Sequence, residues 1–208
     1  MTIEEILALS PVMPVVTIAD AAKAVPMARA LVAGGLRTVE ITLRTPAALA
    51  AVAAIARDVP EAVIGVGTVL SAKDLRDAAE AGAAFAISPG STLALMDAAR
   101  HGPIPYLPAI ATAGELMAGL DRGYTAFKFF PAASAGGVGA LKAFSGPFPG
   151  VRFCPTGGIS AATAPDYLAL PNVLCVGGSW IAPESAIAAG DVAAIERLAR
   201  EASALRRA

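Results

Sequence analysis

The chain has 208 residues, among them 20 Gly and 16 Pro, and no acidic, basic or serine-rich tract divides it. This length predicts one compact domain, residues 1–208, with a sizeable core. The 16 basic and 17 acidic residues form no basic cluster, so neither a nucleic acid nor an anionic membrane is expected as a partner.

Hydropathy and the scarcity of metal ligands narrow the class of protein further. The mean hydropathy is +0.64, but Gly or Pro interrupts every long uncharged stretch, so we expect a soluble protein. The start, MTIEEILALS, carries acidic residues where an export signal would carry basic ones, which indicates the cytoplasm. One His and two separated cysteines, Cys154 and Cys175, offer no zinc cluster; we expect reduced core thiols and no cofactor.

Eight apolar or β-branched runs alternate with Ala- and Leu-rich helical segments. In chain order they read MPVVTI, TVEIT, VIGVG, FAISP, YLPAI, AFKFF, VRFCP and VLCVGG. Runs that are apolar on both faces are typical of buried parallel strands, and eight βα units predict an α/β fold of the (β/α)8 TIM barrel type. The alternative is an open doubly wound sheet, which is less favoured because no G-x-G-x-x-G turn follows the first run.

Capping residues mark where several helices begin. Thr2 with Glu5 predicts an extra N-terminal helix before the first run, which we expect to cover the bottom of the barrel. Thr45, which precedes a proline, and Ser71 and Thr112, which have acidic residues three positions on, predict three later helix starts.

Lys128 interrupts the apolar run AFKFF, at the end of a strand where barrel enzymes place their chemistry. Desolvation lowers the pKa of an ammonium group, and a neutral lysine can attack a ketone to form an imine. The other three lysines of the chain fall in helical, solvent-facing segments. A lysine that snorkels outward or pairs with a carboxylate explains this strand alone equally well.

Two further charged residues accompany the second run. Glu40 lies within it and Arg44 just beyond it, and a separation of four residues in a strand directs both side chains to one face. They could form an internal ion pair or fill a polar layer. The hypothesis that includes Lys128 is a shared site, in which Glu40 exchanges protons, Arg44 binds a carboxylate and Lys128 is the nucleophile.

Glycine-rich turns follow the last two runs. Thr156-Gly157-Gly158 and Gly178-Ser179 occupy the strand ends at which many barrels bind phosphate, although two ordinary βα turns would also contain glycine. Thr68 and Pro89 follow the third and fourth runs, and for them the pattern indicates only a location at the barrel mouth.

The strings TVEITLRT, VIGVGTVLSA, FAISPG, FKFFPA, RFCPTGGIS and CVGGSW together resemble the 2-keto-3-deoxy-6-phosphogluconate (KDPG) aldolase family, from about residue 11 to residue 180. The resemblance implies a cofactor-free class I aldolase that forms pyruvate and glyceraldehyde 3-phosphate through a lysine imine, and a homotrimer. It assigns the imine to Lys128, proton transfer to Glu40 and the pyruvate carboxylate to Arg44. Further substrate contacts that it implies are Thr68, Pro89, Phe130, Thr156, Gly157, Gly158, Gly178 and Ser179.

The sequence is compatible with more than one substrate. Residues 133–135 and Ala109 depart from strings common in the family, and they lie near the barrel mouth. The resemblance is compatible with KDPG, its galactose-derived epimer and 4-hydroxy-2-oxoglutarate (KHG). The alternatives are a phosphosugar isomerase or decarboxylase, with Lys128 as a fixed charge, and a non-catalytic sensor of a phosphorylated metabolite.

Overall fold

The computed structural model of the protein describes residues 1–205. The strands in this range are β1 (Val12–Val16), β2 (Thr38–Thr42), β3 (Val63–Gly67), β4 (Phe85–Ile87), β5 (Tyr106–Leu107), β6 (Ala109–Ile110), β7 (Ala126–Phe129), β8 (Arg152–Pro155) and β9 (Val176–Gly178). The helices are α1 (Ile3–Ala8), α2 (Ala24–Ala33), α3 (Ala48–Asp58), α4 (Ala72–Glu80), α5 (Leu93–Arg100), α6 (Ala113–Leu120), α7 (Gly137–Ser145), α8 (Ala164–Leu168), α9 (Glu184–Ala189) and α10 (Val192–Ser203). A 3-10 helix, Ala21–Lys23, precedes α2. None of the helices in the described range combines the length and apolar character needed to cross a membrane.

The strands pair in parallel and form two connected groups. Six of them lie in the order β5-β4-β3-β2-β1-β9, and the other three in the order β6-β7-β8. Neighbours follow the chain order, and the last strand pairs with the first, whereas a doubly wound sheet reverses its order at a switch point. The protein therefore has an α/β fold built on a curled sheet of parallel strands.

The predicted strand YLPAI is divided in two by Pro108. Proline carries no amide hydrogen, and the next N–H, that of Ala109, donates to Ser91 Oγ at 2.9 Å. As a result β5 pairs with β4, while β6 pairs with β7. At the other end of the smaller group, a parallel bridge between Thr156 and Gly177 links the end of β8 to β9.

Most of the predicted helix starts are confirmed. Thr2, Ser71 and Thr112 each accept a hydrogen bond from the backbone N–H three residues on, and the acidic side chain at that position accepts one in return. The prediction for Thr45 is wrong, because its hydroxyl donates to the carbonyl of Ile18 and α3 begins after an uncapped alanine. A tertiary contact thus competes with a local cap for the same hydroxyl group.

Helix α1 covers one end of the curled sheet. Its buried side chains Ile3, Ile6 and Leu7 belong to one hydrophobic cluster with Met13 and Phe85, which lie near the amino ends of β1 and β4. Each such burial contributes about 1.5–3 kcal/mol. The predicted extra helix is therefore present, and it leaves the carboxyl ends of the strands as the accessible end of the sheet.

Candidate active site

Lys128 and Glu40 form a buried ion pair across the inside of the sheet. The Lys128 ammonium donates to Glu40 Oε1 at 3.1 Å and approaches Oε2 at 3.4 Å, and the two side chains are 6% and 2% exposed. They come from β7 and β2, which belong to different strand groups and face each other because the sheet curls. Two charges so far from water are stable only as a pair, since removal of one leaves the other uncompensated.

This geometry gives the amine an immediate proton acceptor. A lysine becomes a nucleophile only after it loses a proton, and both Glu40 oxygens lie within reach of Nζ. The Phe130 ring, whose centroid is 5.5 Å from Nζ, screens the amine on another side. The paired-lysine interpretation of Lys128 is thus correct in its geometry, and the partner is the residue expected to exchange protons with it.

Two glycines of β3 make room for the interior side chains. Glu40 lies opposite Gly65 in the strand register, and a methyl group on Gly67 would overlap the Glu40 carboxylate. A methyl group on Gly65 would overlap the Phe85 ring in the same way. The sequence interpretation missed this role, although its signal is present: in VIGVG the glycines stand two residues apart, so both face the same side of the strand.

Arg44 and Thr68 lie side by side at the carboxyl end of the sheet. Arg44 Nε donates to Thr68 Oγ1 at 3.2 Å. Strand β2 ends before Arg44, so the four-residue spacing from Glu40 does not run along one strand, and the side chain of Glu40 pairs with Lys128 instead. Thr68 has a φ of 61°, a left-handed conformation that strains a β-branched residue and that recurs at functional sites.

A cavity of about 260 Å³ opens between the ends of β1, β2, β8 and β9. The predicted site residues that line it are Arg44, Phe130, Thr156, Gly157, Gly158, Gly178 and Ser179. The predicted residues outside its lining are Lys128, Glu40, Thr68 and Pro89. Phe130 contributes to the cavity wall and also contacts Lys128, and Thr68 is joined to the cavity through Arg44. Pro89 lies half-buried in the bend after β4.

The turn after β8 contains two glycines, Gly157 and Gly158, that line this cavity. Gly157 and Gly158 have φ values of 100° and 72°, which residues with a side chain rarely adopt. The turn is fixed by two backbone hydrogen bonds, in which the N–H groups of Ala132 and Ala133 donate to the carbonyls of Thr156 and Gly157. Within residues 1–205 the N–H groups of Gly157 and Gly158 donate no hydrogen bond, so they can receive an anion.

Sequence reasoning also missed two polar side chains of the cavity wall, those of Thr17 and Glu184. Both line it, and both also line an adjoining groove of about 460 Å³ that includes Asp20 and Lys23. The groove is larger than the cavity, but it contains none of the predicted site residues. Thr17 did have a signal, since it is a polar residue at the end of the run MPVVTI and directly follows β1, whereas no local pattern marks Glu184, which lies beyond β9.

Cys154 and Cys175 lie buried beside the lysine. Cys154 is opposite Lys128 in the strand register, and its sulfur is 3.5 Å from that of Cys175, without a disulfide between them. The Cys175 thiol donates to Cys154 and lowers the pKa of the Cys154 thiol, against the opposing effect of burial. The expected position of both cysteines in the core is therefore confirmed. In residues 1–205 no three potential metal-ligating side chains come together.

Comparison with known proteins identifies the family of this chain. Residues 3–198 match the sequence model of the KDPG and KHG aldolase family. The KHG/KDPG aldolase of Escherichia coli K12 is 57% identical over 199 residues, which cover 96% of this chain and 93% of that protein. The 2-dehydro-3-deoxy-phosphogluconate aldolase of Pseudoalteromonas atlantica is 54% identical, covering 97% of this chain and 94% of that protein.

Solved structures agree with the sequence comparison. A KDPG aldolase from Legionella pneumophila, with pyruvate captured as a covalent carbinolamine, superimposes with a TM-score of 0.95 at 49% identity over 97% of this chain and 98% of that chain. The aldolase of Zymomonas mobilis gives 0.95 at 52% identity over 100% and 99%. The fold and the buried lysine, with these matches, define an aldolase, a lyase that breaks a carbon–carbon bond. The chain belongs to the KDPG and KHG aldolase family.

Proposed function

We propose that this protein is a class I aldolase that cleaves KDPG to pyruvate and glyceraldehyde 3-phosphate through an imine on Lys128, and that it also cleaves KHG to pyruvate and glyoxylate. The observation that carries the proposal is the buried contact of 3.1 Å between Lys128 and Glu40, which joins an amine to a base. The family membership supports both substrates, because the relatives are named for KDPG and for KHG.

The first half of the reaction builds the imine. Glu40 takes a proton from the Lys128 ammonium, and the free amine attacks the C2 carbonyl of the keto acid to form a carbinolamine. Proton transfer through Glu40 then allows the C2 hydroxyl to leave as water. The resulting iminium carries a positive charge next to C3, so it can accept the electron pair of a breaking bond.

The second half breaks the carbon–carbon bond. Glu40 removes the C4 hydroxyl proton, the C4 oxygen becomes an aldehyde, and the C3–C4 electron pair moves into the iminium to form an enamine. The aldehyde product leaves. The enamine takes a proton at C3, and water hydrolyses the imine to release pyruvate and to restore the amine of Lys128.

The remaining site residues bind and orient the substrate. Arg44, positioned by its hydrogen bond to Thr68, binds the C1 carboxylate in this proposal. Phe130 and Pro89 form apolar walls around the imine. The free N–H groups of Gly157 and Gly158, with Ser179 and Gly178 across the cavity, receive the phosphate, and Thr156 contacts the chain of the substrate.

We also propose that the curled sheet is a closed (β/α)8 barrel with one interrupted strand. Three observations support closure: β1 pairs with β9, the Thr156–Gly177 bridge connects β8 to β9, and β5 continues into β6 through Pro108 alone. Counted with β5 and β6 as one strand, the chain supplies eight. A barrel of this kind directs the ends of its strands to one mouth.

Borohydride reduction in the presence of pyruvate tests the function. We expect a stable adduct whose position, mapped by peptide mass spectrometry, is Lys128. The Lys128→Ala variant should show no adduct and no turnover, whereas Lys142→Ala, which removes an exposed lysine on α7, should behave as the native protein. An adduct on another lysine, or no adduct at all, would refute the proposal.

Stability measurements alone do not identify the role of Lys128. Removal of the lysine leaves the Glu40 carboxylate buried without a partner, a loss that typically costs about 3–5 kcal/mol whether or not the lysine is catalytic. The double variant Lys128→Met, Glu40→Gln removes both charges, so it should recover most of that stability and remain inactive. The chemical label is therefore the decisive measurement.

We further propose a homotrimer in the cytoplasm. A reducing compartment would preserve the thiols of Cys154 and Cys175 at their separation of 3.5 Å. Three exposed apolar side chains on successive βα units, Leu70, Leu93 and Met117, could take part in contacts between subunits. Light scattering of the purified protein measures the oligomeric state, and a monomer at micromolar concentration would contradict this assignment.

A further inference from the structure

Glu184 is the first residue of α9 and lies on the border between the substrate cavity and the adjoining groove. Its side chain is exposed, and within residues 1–205 it takes part in no hydrogen bond or ion pair. As the acidic residue in the first turn of α9, Glu184 is favoured by the N-terminus of that helix, and among the described residues no cation neutralises its carboxylate.

The charges around the cavity are unevenly distributed. Its lining contains two ionisable side chains, Arg44 and Glu184. Under the proposed function Arg44 is occupied by the C1 carboxylate of the substrate, so the opposite end of the cavity has backbone N–H groups and a hydroxyl but no side-chain cation. Lys23, the other nearby cation, lines the groove and not the cavity.

The size of the cavity brings the substrate tail near Glu184. Glu184, Gly158 and Ser179 line the same cavity of about 260 Å³, so a tail group bound at Gly158 and Ser179 shares that cavity with the carboxylate. A phosphate tail carries nearly two negative charges at neutral pH, the tail of KHG carries one, and the tail of an unphosphorylated keto sugar acid carries none. Repulsion by Glu184 must therefore increase in that order.

We propose that Glu184 is a specificity-determining residue that weakens the binding of substrates in proportion to the negative charge of their tails. The inference rests on the proposed aldolase function and on the position of the tail within the cavity. Its effect is to reduce the advantage of phosphorylated substrates and so to favour a broader range of keto acids.

Coulomb repulsion sets the size of the effect. Across a solvated separation of about 8 Å at low ionic strength, one negative charge at Glu184 weakens the binding of a dianion about fivefold and that of a monoanion about twofold. Salt at about 0.1 M or more shortens the range of the interaction to about 10 Å or less, so the differences should shrink as salt is added.

The test compares KM values of Glu184→Gln and the native enzyme for three substrates: KDPG, KHG and 2-keto-3-deoxygluconate without phosphate. We expect KM to fall most for KDPG, less for KHG and least for the uncharged tail, and we expect added salt to reduce the differences. The variant Glu80→Gln is the matched control. It makes the same change in net charge at an exposed position that lines neither cavity, and it should leave all three KM values unchanged.

Each outcome bears on the inference. Equal changes for the three substrates, or changes that are independent of salt, overturn the role of Glu184 while native turnover upholds the aldolase. A rise in KM for KDPG also overturns it, because Glu184 would then be a binding group. Absence of pyruvate release from every substrate, together with absence of a borohydride adduct on Lys128, overturns the proposed function itself.

Discussion

Gly67→Ala should inactivate the enzyme without touching either member of the ion pair. The added methyl carbon would lie 2.7 Å from Glu40 Cδ and 2.8 Å from Glu40 Cγ, whereas ordinary carbon contacts are about 3.5–4.0 Å. The carboxylate must retreat by about 1 Å to relieve the overlap. A shift of that size disturbs the 3.1 Å contact with Lys128, because N–H···O hydrogen bonds are confined to about 2.7–3.2 Å.

The consequence for catalysis follows from the loss of the positioned base. General acid–base catalysis by one side chain contributes about 10²–10⁴-fold, so we expect kcat per folded molecule to fall by at least about 10²-fold. Overpacking by one methyl group also lowers the free energy of unfolding by about 1–3 kcal/mol. The two effects must be separated, because a partly unfolded sample would also lose activity.

The variant Gly65→Ala is the control that distinguishes a loss of catalysis from a loss of stability. Its methyl group overlaps the Phe85 ring instead of Glu40, so it imposes a similar packing penalty on the same strand and leaves the ion pair intact. Denaturant unfolding measures the stability of both variants, and a coupled assay of pyruvate release measures kcat. If Gly67→Ala retains native kcat per folded molecule, the reasoning that Glu40 needs its present position is refuted.

Three other perturbations test the surroundings of the site. Arg44→Ala should raise KM for the keto acid about tenfold or more, since a charge-assisted hydrogen bond contributes about 1.5–3 kcal/mol, and an unchanged KM in steady-state kinetics would contradict its role. Tyr106→Phe removes a hydroxyl that is hydrogen-bonded to the buried Ser88, so urea denaturation should show a loss of about 1 kcal/mol or more. Burial raises the pKa of Tyr124 from 10.0 to about 12, so the unfolded chain ionises first, and stability that is complete below pH 10 should decline towards pH 12. Tyr124→Phe should reduce that decline in a titration of unfolding against pH, and an identical decline in both proteins would contradict the assignment.

The sequence allowed the central pair of the site to be found for a physical reason. The carboxyl ends of parallel strands meet at one end of a curled sheet, so polar residues late in two strands approach each other even when 88 positions apart, as Lys128 and Glu40 do. The same argument placed the glycine turns next to the cavity. Strand period and strand direction were sufficient for these predictions.

Other features of the site depend on the residue at which a strand ends and on the conformation of the loops. Arg44 takes Thr68 as its partner because β2 stops two residues earlier, which a pattern of apolar residues does not show. The interruption of the strand YLPAI at Pro108 was predictable from the sequence, because a proline inside a strand has no N–H to donate to a neighbouring strand. Glu184 had no such signal, since only the conformation after β9 brings it to the cavity.

Helix α1 has a consequence for the fate of the intermediates. Its side chains Ile3, Ile6 and Leu7 fill the amino end of the sheet, so the carboxyl end remains as the approach to Lys128 and Glu40. Under the proposed mechanism, the water that hydrolyses the imine enters by the same end through which the aldehyde departs. An aldehyde that is still bound then shields the enamine from solvent, and the cleavage can reverse at that stage.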